Sequence, residues 1–572
     1  MLHSRYCGAW VWAISGLLLA GCSSHPVATS NRPGWEPSLL PMAQAATATP
    51  AKEVDENLVQ AYAHYVQGMI YDIDEQPEQA QEELNKAALR DPSNADLVLE
   101  LTRRYLQQKQ PEKALELLVH ATALPEASGT LFARLGLVYS RLGKQEQAVV
   151  ACQAAIKRAP DSLDGYRTLF FVDLQNGRPK DALKVLDQAA KAPKTSAEFV
   201  IELVELYATL ERQAPSEKAA IQPNALAALN RAAAQNPTSP QLRLKLADDY
   251  NQLGDTTNAV RIYEQLLIAY SDLLALRTDV HTKLADIYLR GKKYQAAAAE
   301  LKAIVQDDPA NSKAYYLLGS LADDEKKFAE AADYFQKTLL LNDNFQEAYY
   351  DLARVQIDLN QSQQALATLE TARVKFGRGF DSEVFSALAY EKQKDYTNAV
   401  NHFTSAEVIA KATDPKRLNG GFYFDQGAAC ERAGDFDQAE KCFEKSLELT
   451  PNFTEALNYL GYMWADRGIK LEQARDLIEK AVRLEPKSPA FLDSLGWVLY
   501  KLNRPQEALP NVQKAIEFSE EPDPTLYEHL GDIYTALKQT DKAREAWTKS
   551  LTVVPNDEVR KKLDAATVKT HP

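Results

Sequence analysis

Cysteine and histidine, which often act as nucleophiles, acids, bases or metal ligands, are sparse in this sequence. Their spacing matches no known type of reactive site. The cysteines are Cys7, Cys22, Cys152, Cys430 and Cys442. No two of them show zinc-ligand spacing, and five cysteines in 572 residues do not make a disulfide framework. The eight histidines are scattered, and none pairs with another at i,i+4. We therefore predict no metal site and no cofactor.

Paired carboxylates are the remaining candidates for acid–base chemistry. Asp248-Asp249 and Asp323-Asp324 are adjacent pairs, and two neighbouring carboxyl groups can act as general acid and base. Both pairs are better explained as carboxylates on solvent-exposed faces of helices. The sequence also lacks the phosphate-loop, HExxH and GxSxG motifs and an EF-hand loop. We expect no catalytic residue and no enzymatic activity; a reaction site assembled between repeats is the weakest alternative.

One modification is expected near the start of the chain. An apolar stretch from Ala9 to Ala20 is too short to span a bilayer. It ends in Leu19-Ala20-Gly21-Cys22, which resembles the bacterial lipobox. The resemblance implies a signal peptide over residues 1–21 and a diacylglyceryl group on Cys22. An uncleaved anchor and an ordinary secretory signal are the alternatives. Ser23 resembles a sorting signal, so we expect a Gram-negative outer-membrane lipoprotein that faces the periplasm.

Residues 22–56 have the composition of a tether. They are rich in Ala, Ser, Thr and Pro, and the prolines are Pro26, Pro33, Pro37, Pro41 and Pro50. Such a segment cannot bury enough apolar surface to offset its loss of conformational entropy. We expect a disordered, semi-extended link between the membrane and the folded body.

From about Ala61 the sequence repeats with a period of about 34 residues. Fourteen units begin near residues 61, 95, 129, 163, 197, 240, 278, 312, 346, 380, 420, 454, 489 and 524. Strong helix formers dominate these units, and strand-like runs are hard to find. Each unit therefore predicts a pair of helices joined by a turn.

Small residues recur at two fixed places in each unit. The eighth place is Gly or Ala in eleven of the fourteen units. Allowing for insertions, the twentieth place is alanine in all fourteen: Ala80, Ala114, Ala148, Ala182, Ala225, Ala259, Ala297, Ala331, Ala365, Ala399, Ala439, Ala474, Ala508 and Ala543. Small side chains at both places let the two helices of a unit approach closely.

The third unit carries Leu135-Gly136, Tyr139, Ala148, Ala155 and Pro160 in the order of the tetratricopeptide repeat signature, and the other units resemble it. The resemblance covers about residues 61–557. It implies an all-α, right-handed superhelical solenoid of about fourteen helix-turn-helix repeats with a C-terminal capping helix. We place units 1–5 at residues 57–239, units 6–10 at 240–419, units 11–14 at 420–557, and the cap and tail at 558–572.

The period breaks in four places. Units twelve and thirteen each run one residue long, and three longer insertions lie near Ala214–Pro223, Ser271–Leu274 and Lys411–Leu418. Bends between sub-solenoids, exposed contact loops and tolerated surface insertions are the alternatives. Cys430 and Cys442 fall in one unit at places that we expect not to face each other. His64 and His281 fall at a place where the family carries a packing residue.

In this family the first helix of each unit lines a concave wall. Aromatic, apolar and acidic residues fall at those places in the later units, which is typical of a protein contact. The candidate partner-binding groove comprises Tyr316, Tyr350, Val384, Phe424, Tyr462, Asp493, Trp497 and Tyr500. The alternative is that these side chains only pad neighbouring units.

The net charge of −14 and the lack of a basic stripe argue against a nucleic-acid partner. Leader, tether and repeats together resemble the long tetratricopeptide outer-membrane lipoproteins of Gram-negative bacteria, above all from Leu457 to Tyr462 and from Asp493 to Tyr500. The resemblance implies an envelope scaffold that binds periplasmic proteins, such as a protease or its substrates, and no small-molecule substrate. A structural part of a polysaccharide-export or pilus-assembly machine is the alternative.

Overall fold

The computed structural model describes residues 55–568, so the predicted signal peptide, Cys22 and nearly all of the predicted tether lie outside the described residues. Within residues 55–568 all regular elements are helices, which confirms the all-α prediction. These residues form two compact units that divide after Asp308. The predicted grouping of repeats at residues 239/240 and 419/420 stays a prediction.

The first unit, residues 55–308, consists of seven helical hairpins and one 3-10 turn, Pro215–Glu217. Its helices are α1 (Glu56–Ile73), α2 (Pro77–Arg90), α3 (Ala95–Gln107), α4 (Pro111–Thr122), α5 (Gly129–Arg141), α6 (Gln145–Arg158), α7 (Leu163–Gln175), α8 (Pro179–Ala190), α9 (Ala197–Gln213), α10 (Lys218–Ala234), α11 (Pro240–Gln252), α12 (Thr256–Ala269), α13 (Leu274–Arg290) and α14 (Tyr294–Asp307).

The second unit, residues 309–568, consists of seven further hairpins, a 3-10 turn at Pro415–Arg417 and a last single helix. Its helices are α15 (Ser312–Asp324), α16 (Phe328–Leu341), α17 (Gln346–Asp358), α18 (Ser362–Phe376), α19 (Phe380–Lys392), α20 (Tyr396–Thr413), α21 (Gly420–Arg432), α22 (Phe436–Leu449), α23 (Thr454–Asp466), α24 (Leu471–Leu484), α25 (Pro489–Lys501), α26 (Pro505–Phe518), α27 (Pro524–Ala536), α28 (Thr540–Val553) and α29 (Asp557–Val568).

The small residues lie where the two helices of a hairpin meet. All fourteen alanines of the twentieth place have no exposed surface. A Cβ atom added to Gly319 would lie 2.7 Å from the ring of Phe335, and one added to Gly427 would lie 2.8 Å from the ring of Phe443. The glycine thus leaves room for the aromatic ring of the second helix, and neighbouring residues bury that ring completely.

The turn inside each hairpin follows from local backbone chemistry. A residue with positive φ often ends the first helix, as at Gly254 (φ +86°) and Lys326 (φ +60°). An aspartate can then cap the second helix: Asp255 Oδ1 accepts a hydrogen bond of 3.1 Å from the backbone N–H of Asn258. Short connections of this kind hold the helices of a pair side by side.

The insertions mainly lengthen helices. Helices α9, α10 and α13 each have 17 residues and α20 has 18, whereas most of the others have 12 to 15. Helix α10 continues through Pro223, and α13 begins at Leu274. The 3-10 turn near residue 415 is anchored, because Arg417 pairs with Asp381 and lies over the ring of Phe380. The insertions near residues 214 and 411 thus each contain a short 3-10 turn, Pro215–Glu217 and Pro415–Arg417.

Candidate protein-binding surface

The predicted groove residues lie on the first helices of the second-unit hairpins. Tyr316 reaches from α15 to the next hairpin, where its hydroxyl donates a 2.8 Å hydrogen bond to Asp351 Oδ2. Its ring centroid is 4.6 Å from that of Phe345. Burial raises the pKa of the Asp351 carboxyl group to about 6. Tyr316 is half-buried, so it both joins two hairpins and keeps part of its ring accessible.

The next two positions differ in exposure. Tyr350 on α17 is half-buried, and its hydroxyl oxygen accepts a 2.9 Å hydrogen bond from Gln346 Nε2. Val384 on α19 is only 5% exposed and belongs to a buried cluster with Phe403 and Phe422. The prediction that Val384 faces solvent is therefore wrong, because side chains of α20 and α21 close over it.

Phe424 on α21 belongs to a group of four rings. Its centroid lies 5.0 Å from that of Phe453, 5.2 Å from that of Tyr459 and 5.9 Å from that of Phe443. These contacts join two successive hairpins, as the padding interpretation expected. Phe424 remains half-buried and Tyr459 is 37% exposed, so the group also presents aromatic surface.

The last four predicted residues lie close together on α23 and α25. Trp497 stacks on Tyr500 with centroids 5.2 Å apart and on His529 of α27 with centroids 4.1 Å apart. Asp493 Oδ2 lies 2.9 Å from His529 Nδ1. Burial raises the pKa of Tyr462 to about 12, and the negative charges of Asp466 and Asp493 contribute.

Two buried polar atoms near this cluster have no hydrogen-bond partner in the described part of the chain. Trp497 is 9% exposed, and its indole Nε1 donates to nothing. Asn458 is 8% exposed, and its Oδ1 accepts from nothing. Leaving such a group unsatisfied costs about 1–3 kcal/mol. One free donor and one free acceptor therefore lie on the first helices of two successive hairpins.

Carboxyl groups set the electrostatic character of this face. Burial raises the pKa of Glu391 to about 7, and the neighbouring carboxylate of Asp425 adds to the shift. Arg432 lies 3.8 Å from Glu391 and offsets this effect only in part. On α15 and α17, Arg354 pairs with both Asp323 and Asp358. The face combines half-buried aromatic rings with carboxyl groups that would gain from additional positive charge.

Sequence reasoning missed His529 and misjudged several other side chains. His529 lies one unit after Asp493, and this spacing is the signal that could have suggested the pair. His64 and His281 each place Nδ1 2.6 Å from a glutamate of the second helix, Glu83 and Glu300, so they make polar links within a hairpin.

The two cysteines that we expect not to face each other lie close together, and the Cys442 thiol donates a 3.6 Å hydrogen bond to Gln426 Oε1 of α21. The neighbouring Cys442 thiol and burial raise the pKa of Cys430. The positions face each other across the α21–α22 hairpin, which corrects the expectation. Both thiols are free and buried, as is Cys152.

The other features to consider in residues 55–568 are metal sites, membrane-spanning helices and small-molecule pockets. No group of three His, Cys, Asp or Glu side chains in this range is arranged to hold a metal ion. None of the described helices has the length and apolarity needed to cross a bilayer. Two open clefts in the first unit measure about 290 and 260 Å³, at or below the lower end of ligand pockets.

Family models agree with the repeat pattern. Models described as tetratricopeptide repeat match residues 73–125, 130–162, 241–272, 282–347, 324–389, 421–453 and 524–557. The matches lie in both compact units.

Several proteins are similar to parts of the chain. The TPR repeat-containing protein PA4667 of Pseudomonas aeruginosa is 28% identical over 221 residues, which are 38% of this chain and 36% of that protein. The Hsp70-Hsp90 organizing protein 3 of Arabidopsis thaliana is 24% identical over 44% of this chain and 45% of that protein. The Protein O-mannosyl-transferase Tmtc3 of Drosophila melanogaster is 25% identical over 39% of this chain and 20% of that protein. The chain thus spans less than half the length of these relatives.

Solved structures resemble the chain only loosely. The APC/C hetero-tetramer Cut9–Hcn1 matches 84% of this chain and 90% of that chain, with 16% identity and a TM-score of 0.34. Yeast Tom70 matches 78% of this chain and 96% of that chain, with 15% identity and a TM-score of 0.31. These similarities carry no information on function.

Proposed function

Because the chain belongs to the tetratricopeptide repeat family, whose members bind other proteins, we propose that it is a membrane-anchored scaffold of the bacterial envelope. Its partners bind on the first-helix face of the second unit, from Glu391 to Asp532, which we call the aromatic–acidic face.

The observation that carries this function is the pair of unsatisfied buried groups, Trp497 Nε1 and Asn458 Oδ1. An extended peptide offers a carbonyl acceptor and an N–H donor at every residue. Both atoms have almost no exposed surface, so a partner segment lying across α23 and α25 would reach them only after the side chains of Trp497 and Asn458 rotate outward. It would then satisfy both groups and recover the cost of leaving them unpaired. Tyr462 and Tyr500, which are half-buried, would supply apolar contact on either side.

The charge of the face indicates the chemistry of the partner. Glu391, Asp425, Asp466 and Asp493 lie on successive first helices, and the pKa of Glu391 is raised, partly by Asp425. A lysine or arginine brought near this face would stabilise its carboxylates. We therefore expect a partner segment that carries basic side chains beside aromatic or aliphatic ones, and association that weakens as salt increases.

The envelope location rests on the sequence Leu19-Ala20-Gly21-Cys22, which lies outside the described residues. A lipid on Cys22 would hold the folded repeats at a membrane through residues 23–54. Growth with an alkyne-tagged fatty acid should label the wild-type chain and leave Cys22→Ala unlabelled. Equal labelling of both, or none of either, would remove the anchor from the proposal.

In-cell photo-crosslinking tests the aromatic–acidic face on the full chain. A photo-crosslinking amino acid at Tyr500 should give discrete adducts with envelope proteins. The control position is Val408 on the second helix α20 of the same unit, where the side chain is 64% exposed. Adducts from Tyr500 and none from Val408 support the proposal. Equal adducts from both positions, or none from Tyr500, would overturn it.

A further inference from the structure

Helix α1 carries an apolar stripe that nothing in residues 55–568 covers. Eight of its 18 residues are large apolar side chains with at least 37% of their surface exposed. They are Leu58, Val59, Tyr62, Tyr65, Val66, Met69, Ile70 and Ile73, which we call the α1 stripe. The described residues contain 24 exposed large apolar side chains, so a third of them lie on this one helix.

The α1 stripe is separate from the side of α1 that packs into the first hairpin. Ala61 and Gly68 form the inner side, and a Cβ atom on Gly68 would lie 2.7 Å from Leu84 of α2. At about 100° per residue, the eight stripe residues fall within an arc of about 140° beside that inner side. Such a continuous stripe is typical of a helix that faces another helix.

At the C-terminal end of the described residues, an additional helix covers the last hairpin. Helix α29 lies on α28, where Val559 is completely buried against Trp547, and Leu563 and Ala566 are partly buried. Repeat arrays need a polar outer face at their ends to stay soluble. An uncovered apolar stripe at α1 therefore indicates a contact surface.

We propose that the α1 stripe binds the α1 stripe of a second copy of this chain, which makes the protein a dimer. The eight side chains are on average about half exposed. A tyrosine side chain presents roughly 150–250 Å² and the aliphatic side chains somewhat less, so the stripe exposes on the order of 700–800 Å². A stable interface of standard size buries about 800 Å² per partner. Two identical stripes therefore supply the area that a dimer needs.

Helix dipoles favour the antiparallel arrangement of the two helices, because the opposite ends of the two dipoles then lie side by side. The stripe itself contains no charged residue, and acidic residues stand at both ends of α1, with Asp55 and Glu56 at its start and Asp72, Asp74 and Glu75 at its end. In the antiparallel pair, a two-fold axis passes near the middle of the helix, close to Tyr65 and Val66.

Cysteine crosslinking in intact cells tests the arrangement on the full chain. Val66→Cys places a thiol near the axis, and Ile268→Cys on α12 is the control, because Ile268 is 81% exposed. A short bismaleimide should convert most Val66→Cys chains to a product of twice the single-chain mass, and Ile268→Cys should stay single. The dimer proposal is overturned if the two variants crosslink equally, if Val66→Cys joins a protein of another mass, or if its thiol is inaccessible to maleimide.

A second pair of variants separates loss of the interface from loss of folding. Tyr62→Glu with Met69→Glu introduces four carboxylates per dimer at side chains that are 61% and 40% exposed. In detergent solution this variant should sediment as a monomer, with unchanged helix content by circular dichroism. Val150→Glu, at a side chain 66% exposed on α6, should remain a dimer. A wild-type chain that is monomeric at micromolar concentration would also overturn the proposal.

Discussion

The indole of Trp497 lies flat on the imidazole of His529, with ring centroids 4.1 Å apart and ring planes at 17°. The two rings belong to the first helices of successive hairpins, α25 and α27. Asp493 holds the imidazole from α25 at 2.9 Å. One tryptophan therefore contributes both to the packing between two hairpins and to the aromatic–acidic face.

The two roles of Trp497 can be separated by substitution. Trp497→Ala removes the stacked ring and should lower the free energy of unfolding by about 3–5 kcal/mol. Trp497→Phe keeps an aromatic ring on His529 and should cost clearly less. Urea unfolding followed by circular dichroism measures both. If the alanine variant is as stable as wild type, the stacking does not hold the hairpins together.

Close packing at the eighth place predicts a strong steric effect. Gly427→Leu would drive its side chain into Phe443, since even a Cβ atom there would lie 2.8 Å from the ring. We expect a loss of about 3 kcal/mol or more in the free energy of unfolding. Gly379→Leu is the matched control in the same unit, because a Cβ atom at Gly379 would meet only the hydroxyl of Tyr350, at 3.8 Å. Equal losses in both variants would contradict this packing.

The raised pKa of Glu391 predicts a pH dependence with a definite sign. Its value of about 7 in the folded protein exceeds the ordinary 4.5, so the folded state holds this proton more tightly than the unfolded chain. The stabilisation is complete below about pH 4.5 and is lost as the pH rises to 7.

Glu391→Gln should therefore stabilise the protein more at pH 8 than at pH 5, by a difference of about 2–3 kcal/mol. Melting temperatures of the two proteins across this range provide the measurement. Glu448→Gln, at a side chain 66% exposed, should show almost no such difference. A Glu391→Gln effect that is the same at both pH values would rule out the shifted carboxyl group.

The buried thiols should be protected from reagents. Cys152, Cys430 and Cys442 are all buried, and burial raises the pKa of Cys152 to about 12. Since the thiolate is the reactive form, a maleimide should label these three positions only after urea unfolding. Mass spectrometry of the labelled peptides gives the measurement. Fast labelling of Cys430 in the folded protein would contradict its place in the hairpin interface.

The repeat architecture could be predicted from the sequence because two small residues control helix approach. The alanines from Ala80 to Ala543 were identified by their period alone, and all fourteen are fully buried. The site was predicted less well. Sequence places Val384 and Tyr350 at the same position of successive units, yet only Val384 is covered, because exposure depends on the bulk of neighbouring hairpins.

Contacts between helices were the second kind of feature that could not be predicted from the sequence. The Asp493–His529 pair joins residues 36 positions apart, and the contact of Cys430 with Cys442 depends on how far α21 and α22 rotate toward each other. The α1 stripe was overlooked because the repeat was counted from Ala61, whereas the helix begins at Glu56 and its apolar stripe at Leu58.

The most direct test of partner binding is the yield of in-cell photo-crosslinks from Tyr500, compared between the wild-type chain and Trp497→Phe. The phenylalanine variant keeps an aromatic ring on His529 but removes the indole N–H, which the described residues leave without an acceptor, together with the second ring of the indole. Loss of one hydrogen bond to a partner should lower the adduct yield roughly five- to tenfold, corresponding to about 1–1.5 kcal/mol. An unchanged yield in a folded Trp497→Phe protein would show that partners do not bind at this face.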